Sequence, residues 1–394
     1  MSSTTSTHPI LGQLALGFAP MIDPQRQVVA TRLTVMPLRP DARLAAADLN
    51  AFVAEVWPAG SAVLSVLHEQ LLGDLLAEPP APHIILEVPA FLAAAHAESL
   101  QALRKAGHTL LLKGRPSQAL APELQACFKY QAQELDEDRQ QPLPAGPAKL
   151  ITGLRGAEAV DEAFQRGAAA VLGWPVADEP FEPAPGAARS EIQADLQVIV
   201  QLMSQVDQGE DIDKLEATLK RDPSLAFKLL RYMNSAAFGL SVEVSSFRHA
   251  IMLLGMARLK RWLALLLTTA SKDHALRPVM FGALRRGLMM EELAQSMDDR
   301  EMRDEMFICG LFSLLDHMLK QPFGKLLQSI PVPERVRQAL VENTGPYRPY
   351  LDLVRAIEAE SGFDYRAAAE QLMLGAEEIN HAMLRALAKA GQLE

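Results

Sequence analysis

The segment DPSLAFKLLRYMNSAAFG, residues 222–239, sets the fold class of the second half of the chain. Asp222 is a good helix N-cap, and Pro223 suits the first helical position. Four apolar residues then follow with the spacing of one helix face, namely Ala226, Leu229, Leu230 and Met233. The pattern predicts an amphipathic helix that ends at Asn234 and Ser235, because Asn tolerates the left-handed conformation and Ser caps the next turn.

Helical patterns continue to the end of the chain with almost no strand signal. Ser246 is suited to cap a second helix, whose apolar stripe includes Ile251 and Leu254. Further helical stretches cover residues 281–297, 303–320, 334–341, 351–361, 365–374 and 376–390. The second half is therefore predicted to be all-α.

A proline-rich segment divides the chain into two parts of similar size. It runs from Pro175 to Gly186 and contains four prolines, which cannot continue a helix or a central strand. We therefore predict a linker at about 175–189. It separates a first domain, residues 1–183, from a second domain, residues 190–394, which has its core at about 190–376 and additional C-terminal helices.

The first part alternates short apolar runs with helical patterns. The predicted strands are residues 28–35, 84–88, 109–112, 149–151 and 169–172, and the predicted helices are residues 48–52, 99–106 and 158–166. Such alternation predicts an α/β fold with a mostly parallel sheet or barrel. A complete eight-fold barrel usually needs roughly 250 residues, so we expect an incomplete barrel with missing or abbreviated helices.

Composition narrows the functional classes. The 394 residues carry 38 basic and 48 acidic side chains, a formal net charge of −10, which argues against general DNA binding. Two cysteines are too few for a disulfide framework, and no secretory signal opens the chain. The most apolar stretch, Ala250 to Ala270, contains three cations and is a poor membrane helix. We expect a cytoplasmic protein without membrane insertion and without a cofactor.

Motifs for phosphate binding and nucleophilic catalysis are missing. The sequence has no G-x-G-x-x-G, no Walker-type loop and no G-x-S-x-G elbow. His68 and Glu69 begin like a zinc-protease helix, but Leu72 stands where the second histidine would be needed.

The second half resembles the HDOD domain, an HD-related output module of bacterial signalling proteins. The resemblance rests on residues 222–239, on residues 246–255 and on the later run Gly310 to Asp316. It implies that Asp222, Asn234, Ser235 and Gly255 are family-motif residues with structural roles. HD phosphohydrolases hold metal through a His-Asp pair, but here Leu315 precedes Asp316 and cannot bind a metal. Asp316 and the following His317 are interpreted as solvated or capping residues.

The first half resembles a degenerate EAL domain, the barrel that hydrolyses cyclic di-GMP. Residues 20–33 are similar to the opening strand pair of that family, and residues 169–175 to its closing strand. Glu87 matches one metal-binding glutamate. The other matched ligand positions hold different residues, namely Arg32, Lys113, Gly114, Gln131 and Gly153. The order of the two halves resembles the EAL–HDOD family of signalling proteins.

The resemblance implies a non-catalytic regulator. Two metal ions with several carboxylates are needed to activate water against a phosphodiester, and Glu87 alone cannot hold them. We predict a regulator that acts by binding protein partners. The alternatives are a sensor that binds cyclic di-GMP or a related nucleotide without cleaving it, and a phosphohydrolase with a remodelled HD site. Arg32 and Lys113 are candidate anion contacts. The alternative is that they are surface residues at the barrel mouth without a binding role.

A basic helix segment is the candidate for partner binding. Arg258, Lys260 and Arg261 lie within an apolar stretch that could anchor them in the core. Guanidinium and ammonium groups on a rigid helix suit the docking of carboxylates. The alternative is an ordinary solvated face. A second candidate surface is the methionine-rich region Met289–Met306, for which core packing is the commoner explanation.

Overall fold

The computed structural model describes residues 8–57, 60–177, 179–183, 194–219, 247–269, 273–297 and 299–393. The chain divides into two compact units. The barrel unit comprises Met1–Asp178, Arg277–Val279 and Asp352–Ala388. The helical unit comprises Glu179–Leu276, Met280–Leu351 and Lys389–Glu394. The domain limits 1–183 and 190–394 stay a prediction, and the barrel unit as observed includes a late segment of the chain.

Eight strands in the described part of the chain form a closed barrel in sequence order. The strands are β1 Leu14–Ile22, β2 Val28–Pro37, β3 Ala62–Val66, β4 Ile84–Pro89, β5 Leu110–Lys113, β6 Phe128–Glu134, β7 Ala148–Arg155 and β8 Ala170–Trp174. Strand β1 runs antiparallel to β2 and β8, and the other neighbours are parallel. The predicted α/β barrel is confirmed, with none of its eight strands missing.

The barrel is shortened in its connecting helices. The helices that connect the strands are Ala46–Val56, Glu69–Ala77, Ala97–Lys105, Pro122–Gln125, Leu135–Gln140 and Ala157–Gln165. Those after β5 and β6 have only four and six residues. The first half is therefore short because these outer helices are short, while the sheet is still closed.

Apolar side chains fill the barrel as expected for strands that are covered on both faces. All nine residues of β1 are buried, and β3 and β8 are buried throughout. One core cluster takes residues from each strand around the barrel, namely Met21, Ala30, Val63, Ile85, Leu111, Ala132, Leu150, Ala170 and Leu172.

The late segment Asp352–Ala388 binds strand β1 through a buried asparagine. The Nδ2 atom of Asn380 donates to the carbonyl oxygens of Leu11 and Leu14, both at 2.8 Å. Its Oδ1 accepts from the backbone N–H of Leu16 at 3.3 Å. Because β1 pairs with β8 at only two positions, this segment supplies hydrogen bonds that a strand neighbour would otherwise give.

The helical unit and the late segment contain only helices among their described residues, which confirms the predicted all-α character. The helices are Ala194–Asp207, Ile212–Leu219, Phe247–Thr269, Arg277–Leu293, Arg300–Phe312, Leu315–Leu319, Phe323–Ser329, Glu334–Arg337, Arg348–Glu358, Gly362–Leu372 and Ala376–Leu393, with short 3-10 or π turns at His274–Leu276 and Gln338–Glu342. The motif residues Asp222, Asn234 and Ser235, and the helix predicted there, lie outside the described residues.

Gly255 interrupts the long helix Phe247–Thr269. Its φ of 72° and ψ of 167° are not helical, and L side chains rarely adopt a positive φ. An added Cβ would meet no atom within 4 Å, so the backbone conformation, rather than space, favours glycine here. This geometry supplies a physical reason for the structural role that the sequence gives to Gly255.

Candidate functional site

Neighbouring strands of the barrel bring together most of the site residues that the sequence singles out. Arg32 lies on β2, Glu87 on β4 and Lys113 on β5. Ser65, which the sequence does not single out, lies on β3 directly opposite Glu87 in the strand register. Side chains from four consecutive strands therefore meet around one carboxylate.

Glu87 is the centre of this site. Its side chain is 2% exposed, and its Oε1 atom receives all the contacts. The Nη2 atom of Arg32 and the Oγ of Ser65 each donate to Oε1 at 2.8 Å, and the Nζ of Lys113 lies 3.3 Å from it. The Oε2 atom of Glu87 is buried and has no hydrogen-bond partner.

Arg32 is held between two carboxylates. Its Nη1 donates to the Oε2 of Glu360 at 2.9 Å, and the hydroxyl of Thr34 donates to the other oxygen of Glu360. Glu360 lies in the late segment, 328 residues further along the chain, and sequence reasoning misses it. The anions that Arg32 binds in the structure are the carboxylates of Glu87 and Glu360, which belong to the protein itself. Binding of an external anion at Arg32 and Lys113 stays a prediction.

The charges of this cluster fix its ionisation. Burial alone would raise the pKa of Glu87, but attraction to Arg32 and Lys113 and the bonds from Ser65 and Arg32 lower that pKa below its usual range. Burial disfavours the Arg32 cation, but Glu87 and Glu360 outweigh this effect and raise its pKa. Glu87 is therefore ionised at neutral pH and compensated by cations of the protein itself.

A catalytic metal pair does not fit the residues around Glu87. The guanidinium of Arg32 already occupies a position within hydrogen-bond distance of its carboxylate. Gln131 donates to the backbone oxygen of Gly114 at 3.1 Å, so the positions that would carry aspartates hold an amide and a glycine. Among the described residues, no group of three or more His, Cys, Asp or Glu side chains could hold a metal ion.

A cleft opens beside Glu87 and Lys113. Its volume is about 480 Å³, and the ammonium-bearing side chain of Lys113 is 38% exposed at its edge. The residues that line the cleft are Ser65, Val66, Leu67, His68, Glu69, Leu72, Glu87, Pro89, Phe91, Leu92 and Lys113. The cleft is therefore a largely apolar space with a few charged groups.

The HD-like segment of the helical unit contains a second buried carboxylate. Asp316 is 1% exposed, and its two oxygens accept from the backbone N–H groups of Phe181 and His317, both at 2.8 Å. Nε2 of His317 is 3.0 Å from the carbonyl oxygen of Glu179. Asp316 is therefore not solvated, and of the two interpretations the capping one fits, because its carboxylate accepts from the backbone N–H of Phe181. Burial raises its pKa above the usual aspartate range.

The predicted partner-binding cations have different surroundings. Lys260 pairs with Asp207, and Arg261 donates to both oxygens of Glu291 at 2.7 Å. The guanidinium of Arg261 also lies 3.9 Å from the centre of the Phe307 ring. Arg258 is exposed. Partner binding by this segment stays a prediction, and two of its three cations already make ion pairs within the helical unit.

The methionine-rich region is core. Met289, Met290 and Met306 are buried and Met302 is half-buried, which fits core packing rather than an adaptable binding groove. The signal that would have indicated this was their position among other apolar residues on long helices.

Comparison with known proteins agrees with this architecture. The HDOD domain model matches residues 194–328. Two curated relatives are the cyclic di-GMP phosphodiesterase CdgJ of Vibrio cholerae, 28% identical over 188 residues, and the uncharacterized protein YuxH of Bacillus subtilis, 31% identical over 154 residues. These matches cover 45% and 38% of this chain. The chain spans 44% and 37% of the length of these relatives.

The barrel also resembles solved EAL domains. The EAL domain of Mycobacterium smegmatis DcpA is similar over 41% of this chain and 90% of its own, with 15% identity and a TM-score of 0.30. The described residues form an eight-stranded α/β barrel and an all-α region. Residues 194–328 are an HDOD domain, and the barrel before it resembles EAL domains. No described helix is long and apolar enough to cross a membrane.

Proposed function

We propose that this chain is a non-catalytic signalling protein, whose barrel does not hydrolyse cyclic di-GMP and whose two units act by binding. The observation that carries the proposal is the pairing of Glu87 with Arg32 and Lys113. The name of the CdgJ relative places a related protein in cyclic di-GMP turnover, which supports a signalling role for this chain.

Electrostatics supports the absence of hydrolysis. Hydrolysis of a phosphodiester by a two-metal mechanism requires both metals to contact the attacking and leaving oxygens. A divalent ion at Glu87 would lie next to the Arg32 guanidinium, which is 2.8 Å from the same carboxylate oxygen. Like charges at that distance repel, and the barrel offers no second carboxylate at Lys113, Gln131 or Gly153 to offset this repulsion.

The test is a hydrolysis assay on the full chain with cyclic di-GMP and either Mg²⁺ or Mn²⁺. We expect no linear dinucleotide product over a long incubation, with an active EAL phosphodiesterase as the positive control. Turnover that disappears in the Glu87→Gln variant would contradict the proposal, since it would show that this carboxylate still supports catalysis.

A second candidate function is a sensor that binds a cyclic dinucleotide or related nucleotide without cleaving it. The cleft next to the partly exposed Lys113 favours it. The test is titration with cyclic di-GMP, with and without divalent metal. We expect the Lys113→Glu variant to weaken any phosphate-dependent binding, and added salt to weaken it further, because exposed charges are screened over roughly 8 Å at physiological ionic strength.

Protein partners form the remaining part of the proposal, and we place their recognition on the HDOD domain. Arg258 offers an exposed guanidinium, which pairs readily with carboxylates. The intact protein and the Arg258→Ala variant should differ in capture of an acidic partner, and Lys260→Ala is a control that changes a cation already paired with Asp207. Equal capture by all three proteins would move the interface elsewhere.

A further inference from the structure

A short surface segment covers the buried carboxylate of the helical unit. Residues 179–181 belong to this unit, and the residue that they cover, Asp316, is 1% exposed. Glu179 and Pro180 are exposed, and Phe181 is half-buried. A segment at the surface thus supplies an N–H group that bonds a buried carboxylate at 2.8 Å.

Three contacts hold the segment, and each uses a different kind of group. The N–H of Phe181 donates to Oδ2 of Asp316. Nε2 of His317 lies 3.0 Å from the carbonyl oxygen of Glu179, and because a carbonyl only accepts, this nitrogen carries the donated hydrogen. The rings of Phe181 and His317 meet edge to face, with their centres 6.1 Å apart. Two adjacent side chains therefore bind a carbonyl, an N–H two residues later and an aromatic ring.

This combination of contacts is typical of peptide recognition. Proteins that bind extended peptides gain affinity from main-chain hydrogen bonds and specificity from contacts with single side chains. Pro180 suits the middle position, because it has no N–H to leave unpaired and its ring fixes φ near about −65°. A segment with proline before an aromatic residue therefore loses less conformational freedom on binding than a flexible one.

The same contacts define what the site needs when residues 179–181 leave it. Oδ2 of Asp316 then loses its hydrogen bond, and a buried acceptor without a donor is costly. The vacated site is thus complementary to the N–H of another peptide. A tethered segment has a higher effective concentration than a free one, so a free peptide binds weakly while the segment of the chain itself is in place.

We propose that Asp316 and His317 form a peptide-binding site for a proline followed by an aromatic residue, which the chain fills with its own residues 179–181. The partner that fits this site is a protein with an exposed segment of the same kind, which displaces residues 179–181. The proposal rests on the partner-binding role proposed for the HDOD domain, and it does not use Arg258. Hydrolysis and capture through Arg258 are measured without a peptide, so the two proposals fail separately.

The first experiment measures binding of a free copy of the segment. The probe is a fluorescein-labelled peptide of residues 177–183, ADEPFEP, titrated with the full chain and followed by fluorescence anisotropy. The Phe181→Pro variant, whose segment lacks the N–H and the ring, should bind the probe at least tenfold more tightly than the wild-type chain. No saturable binding to this variant, or equal binding to both proteins, would overturn the proposal.

Matched controls separate the site from general attraction between peptide and protein. Glu182→Ala changes the next residue of the segment, which is exposed, and should leave probe binding as weak as in the wild-type chain. Adding His317→Ala to the Phe181→Pro variant should weaken probe binding at least fivefold, with circular dichroism to confirm folding. Tight binding by the Glu182 variant, or no loss with His317→Ala, would refute the assignment.

The second experiment tests displacement in the wild-type chain. Hydrogen exchange of the Phe181 amide reports whether its N–H is bonded to Asp316. Excess unlabelled peptide should speed this exchange at least twofold, and the same peptide with alanine in place of its phenylalanine should have a smaller effect. Unchanged exchange while the peptide is bound would show that the peptide binds elsewhere and would overturn the proposal.

Discussion

Two buried carboxylates, Glu87 in the barrel and Asp316 in the helical unit, are stabilised in opposite ways. Glu87 is surrounded by side-chain cations, which lower its pKa. The carboxylate oxygens of Asp316 accept from the backbone N–H groups of Phe181 and His317, the Nε2 of His317 lies 3.9 Å away, and burial raises the pKa of Asp316. Both stand where the sequence resembles a metal-binding motif.

The difference shows that a buried carboxylate can be stabilised either by side-chain cations or by backbone N–H donors. The cations Arg32 and Lys113 hold Glu87 ionised, so the protein itself supplies the positive charge that balances this carboxylate. Neutral N–H dipoles at Asp316 do not offset the loss of hydration, so its charge remains costly. Glu87 therefore depends on its cations, whereas Asp316 serves mainly as an acceptor that fixes the backbone at Phe181.

The largest expected effect is on Glu87→Gln. Removing the carboxylate leaves the buried Arg32 with Glu360 alone, and breaking a buried ion pair costs about 3–5 kcal/mol. We expect this loss in the free energy of unfolding at pH 7, measured by denaturant titration with circular dichroism. Because the pKa of Glu87 is lowered in the folded state, the stabilisation is present above the ordinary glutamate pKa and is lost as pH falls through the lowered value.

Glu69→Gln is the control for that measurement. Glu69 lines the same cleft and is exposed in the first turn of the helix Glu69–Ala77, so its substitution should cost at most about 1 kcal/mol. Equal stability of the Glu87 and Glu69 variants would remove the distinction between a cation-compensated carboxylate and an ordinary surface carboxylate.

A smaller effect is expected from Gly17→Ala, which tests how Glu360 reaches Arg32. A Cβ at Gly17 would lie 2.9 Å from the carbonyl oxygen of Ile357 and 3.0 Å from Cα of Glu360. We expect a loss of about 1–3 kcal/mol from this overpacking. Gly12→Ala is the matched control, because its nearest contact would be at 3.8 Å. A Gly17 variant as stable as the Gly12 variant would show that the late segment moves aside freely.

The Asp316→Asn variant should have an effect of about 1 kcal/mol, with the opposite dependence on pH from that of Glu87. An amide keeps one acceptor oxygen for Phe181 and loses the other, and a neutral hydrogen bond contributes about 1 kcal/mol. Since the pKa of Asp316 is raised in the folded state, its contribution is fully present below the ordinary aspartate pKa and decreases as pH rises through the raised value.

The measurement for Asp316 is the unfolding free energy of both proteins across that pH range. We expect the advantage of the wild-type chain over the Asn variant to shrink with increasing pH. An advantage that instead grows with pH would place Asp316 in the same class as Glu87 and would contradict the comparison.

The smallest effect is expected at Arg258, an exposed charged residue that serves as a reference for the two buried carboxylates. Arg258→Ala should change the unfolding free energy by at most about 0.5 kcal/mol, because surface substitutions away from special features rarely do more. Thermal unfolding of this variant beside the wild-type chain checks the expectation. A loss above 1 kcal/mol would mean that Arg258 supports the fold and is a poor candidate for partner docking.

Most of the fold could be predicted because strongly periodic segments carry their own signal. The runs at β2, β4, β5, β7 and β8 were recognisable as apolar segments. Strand β3, Ala62–Val66, is not among the predicted strands, although it is as long as β8 and longer than β5. Strand β1 contains Gly17 and Pro20, residues that argue against a strand. Pro20 is tolerated because β1 pairs with β8 only at Met21 and Ile22.

The candidate site was predictable only in part. Arg32, Glu87 and Lys113 could be assigned to one site because resemblance aligned them with one set of motif positions. Glu360 could not, since no local pattern connects a residue near the end of the chain with an arginine on the second strand. The apolar cleft beside them depends on the packing of three strands and their loops, which no single segment encodes.

The bond between Leu16 and Asn380 has a consequence for biosynthesis. The two residues are 364 positions apart. At roughly 5–20 residues per second, a ribosome needs roughly 20–70 s to make the intervening chain. During that interval the first strand has left the exit tunnel without the asparagine that serves its backbone groups. The backbone groups of Leu11, Leu14 and Leu16 therefore stay without this partner until Asn380 has been translated.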